Sequence, residues 1–334
     1  MQNVYGYVGT SETTSRSSSG GAFMAIAKAF FDEYGEKARA LGVVFGEDLN
    51  VEYAVAETFD ACRAFQGSKY VQSDATGTID RVVNLLNEGF AVLFVGTPCV
   101  AAGVKKAVAA RTLASERLWT VDLICHGTPD KRVWRDYLSW LEKRRGARPV
   151  EYSFRYKKVA WRGYPVYVKL SDGKEIVDTY EARTYVRAFL KGATMREACF
   201  RCPFKNLDRC GDLTIGDFWG AEAIFDQDEA KRGVSLILEN SEKGAAIIER
   251  MRRDAEVEGT RLQKIDDDVF MRRQDNLKRA LPKPPQYDAF WDAYKKDGFD
   301  AAVRRAGFFT WKGRLRARGI WLLKKVGLYS ALKK

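Results

Sequence analysis

Histidine is almost absent from this chain, which has a single histidine, His126, among 334 residues. Zinc sites that need several histidines, such as the pair in H-E-x-x-H, are therefore excluded. Long apolar runs are absent as well, since no segment approaches the roughly 18 consecutive apolar residues that cross a membrane. The start of the chain lacks the basic residues and apolar run of a secretory signal, so we expect a cytoplasmic protein.

Acidic residues are missing from the end of the chain. Residues 301–334 hold ten Lys or Arg and no Asp or Glu, which accounts for most of the formal net charge of +12. The body of the protein is therefore nearly neutral, and we expect no nucleic-acid partner. Because residues 308–334 mix Trp311, Leu315 and Leu322 with basic side chains, we expect contact with an anionic membrane surface or an acidic partner, with a solvated terminal helix as the alternative.

The chain has only six cysteines, and half of them fall within the twelve residues 199–210. In a reducing compartment they are more often metal ligands, redox groups or core residues than disulfides. Cys199 and Cys202 form a Cys-x-x-Cys loop, the commonest local half of a tetrahedral sulfur site. The remaining ligands of such a site must come from elsewhere in the chain.

Two further cysteines follow segments that resemble buried strands. The apolar run 90–95 precedes Cys99, the run 118–124 precedes Cys125, and a helical pattern lies between them over 100–114. Parallel strands joined by one helix end at the same sheet edge, so we expect Cys99 and Cys125 to face one crevice. Three interpretations stay open: a zinc site, unrelated thiols, or a cubane iron–sulfur cluster held by Cys99, Cys125, Cys199 and Cys202.

The polar run Arg16-Ser-Ser-Ser-Gly-Gly21 stands before the apolar-periodic segment Ala22–Tyr34. Free N–H groups at the start of a helix suit a phosphate. The run matches neither a Walker loop nor G-x-G-x-x-G, so an ordinary helix cap on a flexible loop is the alternative. Lys69 and Tyr70 could contact a phosphate or a ring, or could lie on a solvated edge strand.

The order of the elements predicts a mixed α/β (α+β) fold. We expect a central, largely parallel sheet with flanking helices, preceded by a smaller N-terminal β-rich segment with a hairpin over 41–56, and followed by a helical C-terminal extension. The expected segments are 1–75, 76–255 and 256–334. Within the last of these, a helix is predicted over 266–279, before the prolines at 282, 284 and 285.

Six motifs within residues 4–240 resemble, in order, those of the coenzyme F420 hydrogenase/dehydrogenase beta-subunit family of FAD-containing iron–sulfur flavoproteins. They are Arg16–Gly21, Ser68–Ser73, Val95–Cys99, Asp122–Pro129, Phe154–Lys157, and Cys199-x-x-Cys202 continuing into Asp212–Gly220. The resemblance implies an oxidoreductase that binds FAD and one 4Fe–4S cluster. Such a protein passes electrons between a ferredoxin-type carrier and a hydride acceptor, either coenzyme F420 or another organic substrate.

The resemblance also implies site residues. By match, the cluster ligands are Cys99, Cys125, Cys199 and Cys202. The implied contacts to FAD are Arg16, Ser17, Ser18, Ser19, Gly20, Gly21, Lys69 and Asp217, with Trp219 as a further residue of the pocket wall.

Two features of the chain depart from the family pattern. Larger members begin with a ferredoxin-like segment of closely spaced cysteines, which is not seen here, so we expect further clusters on ferredoxin or on a cluster-carrying partner subunit. Cys62 and Cys210 match no family cysteine, and Cys210 could replace one of the four ligands. The alternative to an enzyme is a zinc-binding or degenerate scaffold protein at the membrane surface, associated with surface-polysaccharide synthesis.

Overall fold

The computed structural model describes residues 3–112 and 114–325. Its strands are β1 (Val4–Val8), β2 (Ala38–Phe45), β3 (Val51–Ala56), β4 (Ala91–Gly96), β5 (Leu118–Leu123), β6 (Pro149–Ser153), β7 (Tyr167–Leu170), β8 (Glu175–Val177), β9 (Leu213–Asp217), β10 (Ser235–Glu239) and β11 (Arg261–Lys264). Its α-helices are α1 (Ser11–Arg16), α2 (Ala22–Tyr34), α3 (Thr78–Asn87), α4 (Pro98–Arg111), α5 (Lys131–Arg145), α6 (Arg183–Leu190), α7 (Gln227–Arg232), α8 (Glu242–Glu258), α9 (Asp267–Phe270), α10 (Gln286–Arg305) and α11 (Trp311–Lys325).

Eight strands form one sheet in the order β11-β1-β10-β9-β5-β4-β2-β3. The four central strands β9, β5, β4 and β2 are parallel neighbours. Antiparallel strands extend this centre on both sides, with β3 against β2 and β10 against β9. The predicted fold class is therefore confirmed, and the hairpin expected over 41–56 is the β2–β3 pair. Strands β1 to β3, from the first 75 residues, belong to this same sheet.

The middle strands are apolar on both faces because helices cover both faces. On one face, Leu93 of β4 and Val121 of β5 pack in a core cluster with α2 and α8. On the other face, Val92 and Phe94 pack with α3 and α4. Because β4, β5 and β9 are parallel neighbours, their carboxyl ends lie at the same edge of the sheet, which is where open α/β sheets bind ligands.

A second core lies beside the large sheet and is rich in aromatic residues. It joins the small antiparallel sheet β6-β7-β8 to α5, α6 and α10, with Trp134, Tyr137 and Tyr185 fully buried at its centre. Phe308 and Phe309, at the start of the basic tail, are buried in this core too. The predicted contact surface over 308–334 therefore cannot begin before α11.

The helix predicted over 266–279 is shorter in the structure. Only α9 is α-helical there, followed by two short 3₁₀ turns. The chain turns because Gln274 is buried and its Nε2 donates to the Asp217 carbonyl at 3.0 Å, a tertiary contact that overrides the local helical pattern. Among the described residues, no helix is long and apolar enough to span a bilayer, and residues 326–334 of the tail lie outside that part of the chain.

Candidate functional site

A cleft of about 300 Å³ opens at the carboxyl edge of the parallel strands. Its walls come from the ends of β4, β5 and β9, from the loop before α2, and from residues 65–73. Of the implied FAD contacts, six line this cleft: Ser17, Ser18, Ser19, Gly21, Lys69 and Asp217. Arg16 is exposed at the end of α1, and Gly20 is buried behind the cleft wall.

The segment 203–212 fixes the cysteine loop against the sheet through a buried ion pair. Arg209 donates to the carboxylate of Asp122 at the end of β5, and both side chains are almost completely buried. The same carboxylate accepts from the Gly211 N–H at 2.8 Å and from the Thr214 hydroxyl at 2.9 Å. With these partners the buried charge of Asp122 is compensated, and the segment cannot slide along β5.

Four cysteines gather where β4 and β5 end. Cys99 lies in the first turn of α4, directly after β4, and Cys125 follows β5. The backbone N–H of Thr128 donates to Cys199 Sγ at 3.4 Å, which brings the Cys-x-x-Cys loop to the segment after Cys125. The hydroxyl oxygen of Thr97 lies 3.5 Å from the Cys99 sulfur.

The electrostatics of the thiols show the same grouping. Burial raises the pKa of Cys125 to about 12; the Lys205 ammonium and the Gly127 N–H oppose this effect, and the Cys199 and Cys99 thiols add to it. Burial also raises the pKa of Cys199, the Thr128 N–H opposes this, and Cys202 and Cys99 add to it. Each of the four predicted ligands thus lies within electrostatic range of at least one other.

Among residues 3–112 and 114–325, no three His, Cys, Asp or Glu side chains are close enough together to hold one metal ion. A cluster of four irons and four sulfides is wider than a single ion, so its ligands stand farther apart. The described cysteines therefore do not form the compact tetrahedron of a zinc site, and the donor set of four thiols is the one that a cubane iron–sulfur cluster uses.

The other two cysteines have different surroundings. Cys62 is fully buried in the core next to α2, and its Sγ lies 3.6 Å from the Thr58 carbonyl. Cys210 donates to the Pro98 carbonyl at 3.2 Å and lies 3.3 Å from Asp122 Oδ2. Burial and then the Asp122 carboxylate raise the pKa of Cys210 to about 12, so a negative group faces this thiol where the Lys205 ammonium faces Cys125.

His126 lines the cleft but is held as a structural residue. Its Nε2 lies 3.2 Å from the Leu190 carbonyl, and its ring meets Phe189 edge-on. Burial, and then the neighbouring Lys205, lower the pKa of His126 to about 4. The imidazole is therefore neutral at physiological pH and carries no proton to donate as an imidazolium.

The loop of residues 17–21 before α2, called the serine loop below, uses its hydroxyl groups to hold its own shape. Ser19 Oγ donates to the Val234 carbonyl at 2.6 Å, and Ser18 Oγ accepts from the Ser68 N–H at 2.6 Å. Gly20 allows the loop to pass against β1 and β10, because an added Cβ would collide with the Tyr7 carbonyl and the Ser235 N–H. Gly21, the N-cap of α2, has no side chain to cap the first turn, an arrangement that suits an anion.

Two residues in and just after the Phe154–Lys157 motif support this loop from the other side. Lys157 Nζ donates to the carbonyls of Thr14 and Ser19 at 2.8 and 2.5 Å. Trp161 Nε1 donates to the Ser18 carbonyl at 3.1 Å, and its ring stacks on Trp219 with centroids 5.2 Å apart. The predicted wall residue Trp219 therefore lies in the cleft wall and packs against the support of the serine loop.

Lys69 lines the cleft, yet its ammonium already has three partners. Nζ donates to the carbonyls of Ala64, Phe65 and Gln66 at 3.1 to 3.2 Å, at the end of a 3₁₀ helix. Burial lowers the pKa of Lys69 to about 8. Its charge contributes a positive field to the cleft, whereas a direct hydrogen bond to a phosphate would require it to release a carbonyl.

The chain is similar in sequence to a known family. A sequence model that describes the C-terminal part of the coenzyme F420 hydrogenase/dehydrogenase beta subunit matches residues 90–265, which is more than half of the 334 residues. The chain belongs to this beta-subunit family. The family predicted from the six motifs is thereby confirmed, and membership points to an oxidoreductase of the F420 hydrogenase type.

The fold of this family member resembles that of a solved structure. One chain of the xenon-derivatised F420-reducing [NiFe] hydrogenase complex from Methanosarcina barkeri matches with a TM-score of 0.54 and 13% sequence identity, over 96% of this chain and 90% of that chain. At this identity the match shows a shared fold. No curated protein matches the chain.

Sequence reasoning missed part of the site of this beta-subunit family member. Lys205 is buried beside the cysteines, and Asn276, from the region after α9, lines the cleft. Arg155 binds Asp217, which the sequence placed in the pocket wall without a partner. The position of Lys205 three residues after Cys202 was an available signal, whereas nothing in the sequence marks Asn276.

Proposed function

We propose that this chain is an iron–sulfur flavoprotein oxidoreductase. The observation that carries the proposal is that Cys125 lines the same cleft as the serine loop before α2, while Cys99 and Cys199 lie within electrostatic range of Cys125, and Cys202 within that of Cys199. Cys99, Cys125, Cys199 and Cys202 are the proposed ligands of one 4Fe–4S cluster, and Cys210, hydrogen-bonded to Pro98 and near Asp122, is left out of the set.

The chain's own residues have distinct proposed tasks in binding FAD. The serine loop and the start of α2 bind the phosphates, and the positive field of Lys69 assists. Asp217, held by Arg155, and Trp219, stacked on Trp161, form a fixed wall for the ring system. When bound, a flavin exchanges electron pairs with an organic molecule and single electrons with a cluster.

We propose that the three predicted segments share the site. Residues 1–75 contribute the serine loop, residues 76–255 contribute the four ligand cysteines and most of the remaining cleft wall, and residues 256–334 contribute strand β11 and Asn276 before the helical extension. The proposed electron partner is ferredoxin or another cluster-carrying protein, and the proposed hydride acceptor is coenzyme F420 or another organic substrate.

Anaerobic purification of the full chain tests this function. We expect coloured protein with the visible bands of flavin and cluster, and about four irons and one flavin per chain. Colourless protein, or protein with a single zinc ion and no iron, would contradict the proposal and favour the scaffold alternative.

We also propose that α11 contacts an anionic lipid surface. Its first turns touch the body of the protein on one side, where Thr310 N donates to Tyr180 Oη at 3.2 Å and Gly313 leaves no room for a Cβ against Tyr180. Trp311 and Leu315 lie one turn apart on the opposite side and are 66% and 56% exposed. Residues 311–325 carry six Lys or Arg and no acid, and such a helix suits a negatively charged interface.

A further inference from the structure

Lys205 is a buried lysine without a carboxylate partner among the described residues. The residue is only 6% exposed. Its Nζ donates to the His126 carbonyl at 3.0 Å and to Asn276 Oδ1 at 2.9 Å. Both acceptors are neutral. An ammonium group offers three donors, so one of the three remains for a further acceptor.

Three of the cysteines lie close enough to Lys205 to influence its charge. Burial lowers the pKa of Lys205, and the Cys125, Cys202 and Cys199 thiols oppose that effect in this order. An unpaired charge in an interior of low polarity is costly, and buried charges are normally paired. As ligands of a cluster the cysteines are thiolates, and in that state they would supply the counter-charge that the surroundings of Lys205 otherwise lack.

Other cationic side chains near the cysteines are less suited to compensate the charge of cysteine thiolates. Arg209 is nearly fully buried, but its charge is neutralised by the equally buried Asp122. Arg196 and Arg201 flank the Cys-x-x-Cys loop on its exposed side, where water screens them. Lys105 lies farther along α4 with 43% of its side chain exposed.

We propose that Lys205 is a positioning residue that compensates the charge of the cysteine thiolates and raises the reduction potential of the group they hold. The inference rests on the proposed function, because it needs a redox centre on these thiolates. Adding an electron makes that centre more negative, and a fixed neighbouring cation stabilises the reduced form more than the oxidised form. Neutralising Lys205 therefore favours the oxidised form.

The test compares Lys205→Gln, Lys205→Arg and the control Lys105→Gln in the anaerobically purified full chain. Iron and acid-labile sulfide are measured first, and each loaded protein is then titrated with a series of redox mediators while its cluster signal is followed by electron paramagnetic resonance. We expect the ratio of reduced to oxidised cluster at a fixed potential to fall at least about tenfold in Lys205→Gln, which is about 59 mV for a one-electron couple. Lys205→Arg and Lys105→Gln should each stay within about threefold of wild type.

The outcomes separate this inference from the proposed function. Wild-type protein without iron contradicts the proposed function itself. If the wild-type protein holds iron but the reduction potential of Lys205→Gln is unchanged, only the role of Lys205 is overturned. That role is also overturned if Lys105→Gln shifts the potential as much as Lys205→Gln does. If Lys205→Gln folds with wild-type circular dichroism but takes up no iron while Lys205→Arg is loaded, the requirement for a positive charge at this position is upheld.

Discussion

Arg155 binds Asp217 through a nearly buried ion pair that joins the loop after β6 to the end of β9. Arg155 Nη1 lies 2.7 Å from Asp217 Oδ2, and the two side chains are 2% and 15% exposed. The same nitrogen donates to Tyr70 Oη at 3.1 Å, and the guanidinium lies over the Tyr164 ring. The pair therefore fixes three parts of the cleft wall relative to one another.

Replacing Asp217 by asparagine should destabilise the protein. The substitution keeps the shape of the side chain but leaves the Arg155 charge buried and unpaired, which costs about 3 kcal/mol. Urea denaturation measures the change in the free energy of unfolding. The exposed pair Lys231–Asp228 supplies the control, because Asp228→Asn should change that free energy by less than about 0.5 kcal/mol. If the two substitutions lowered the free energy of unfolding equally, the predicted contribution of the Arg155–Asp217 pair to stability would be wrong.

The cysteines should fall into two groups when each is replaced by alanine. Cys99→Ala, Cys125→Ala, Cys199→Ala and Cys202→Ala should each lose most of the iron, since each removes one ligand of the proposed cluster. Cys210→Ala and Cys62→Ala should retain it, because Cys210 is engaged near Asp122 and Cys62 lies in the core. Iron per chain, measured after anaerobic purification, decides each case. Loss of iron in Cys210→Ala would place Cys210 in the ligand set.

Gly20→Ala should abolish flavin binding. The added methyl group would collide with the Tyr7 carbonyl and the Ser235 N–H, so the serine loop must move away from β1 and β10. Gly103→Ala, in the middle of α4, is the matched control, because its nearest neighbour would be 3.9 Å away and alanine favours a helix. Flavin per chain is the measurement. Full flavin content in Gly20→Ala would show that the loop does not hold the cofactor.

Stability should rise with pH above 7 because of Lys157. Burial, and then the Arg155 charge, lower the pKa of Lys157 to about 7 in the folded protein. The unfolded chain, with an ordinary lysine pKa of about 10.4, binds more protons than the folded chain between these two values, so the free energy of unfolding increases with pH in that window. From pH 7 to 9 the gain is about 2 kcal/mol relative to Lys157→Met. Urea denaturation measures the free energy of unfolding at each pH. If it changed with pH in the same way in wild type and in Lys157→Met, the lowered pKa of Lys157 would be contradicted.

Binding to anionic vesicles should depend on the exposed side of α11. We expect Trp311→Ser combined with Leu315→Ser to reduce co-sedimentation with vesicles of phosphatidylserine and phosphatidylcholine by about tenfold, and we expect little binding of any variant to phosphatidylcholine alone. Val257→Ser, which changes an 88% exposed valine at the end of α8, is the control. A truncation for the same purpose should begin at residue 311, because Phe308 and Phe309 belong to the core. Undiminished binding of the double variant would rule the proposal out.

The local sequence predicted the elements that carry the cysteines. Two short apolar runs predicted strands β4 and β5, and the longer helical pattern between them predicted α4. Short buried strands and a connecting helix differ in length and composition, so each segment could be assigned from its own sequence. The rule that parallel strands end at one edge then placed Cys99 and Cys125 at the same edge of the sheet from the sequence alone, although of the two only Cys125 lines the cleft. This part depends only on periodicity and topology.

The contacts between distant segments could not be predicted in the same way. Arg155 and Asp217 are 62 positions apart, and their pairing depends on how the loop after β6 crosses the sheet. Lys205 and Asn276 meet only because the region after α9 turns at Gln274, against its own helical pattern. Such contacts are set by the packing of whole layers, and a single sequence contains no signal for them.

The bond between Ser19 and Val234 joins positions 215 residues apart, and β1 likewise pairs with β10. During synthesis at about 5–20 residues per second, the first strand and the serine loop leave the ribosome on the order of 10–40 s before their partners exist. The cleft is therefore finished late, after the cysteine loop has been made. Insertion of the proposed cofactors would then follow translation of β10, and a nascent chain stalled before residue 234 would present the serine loop without the support that shapes it.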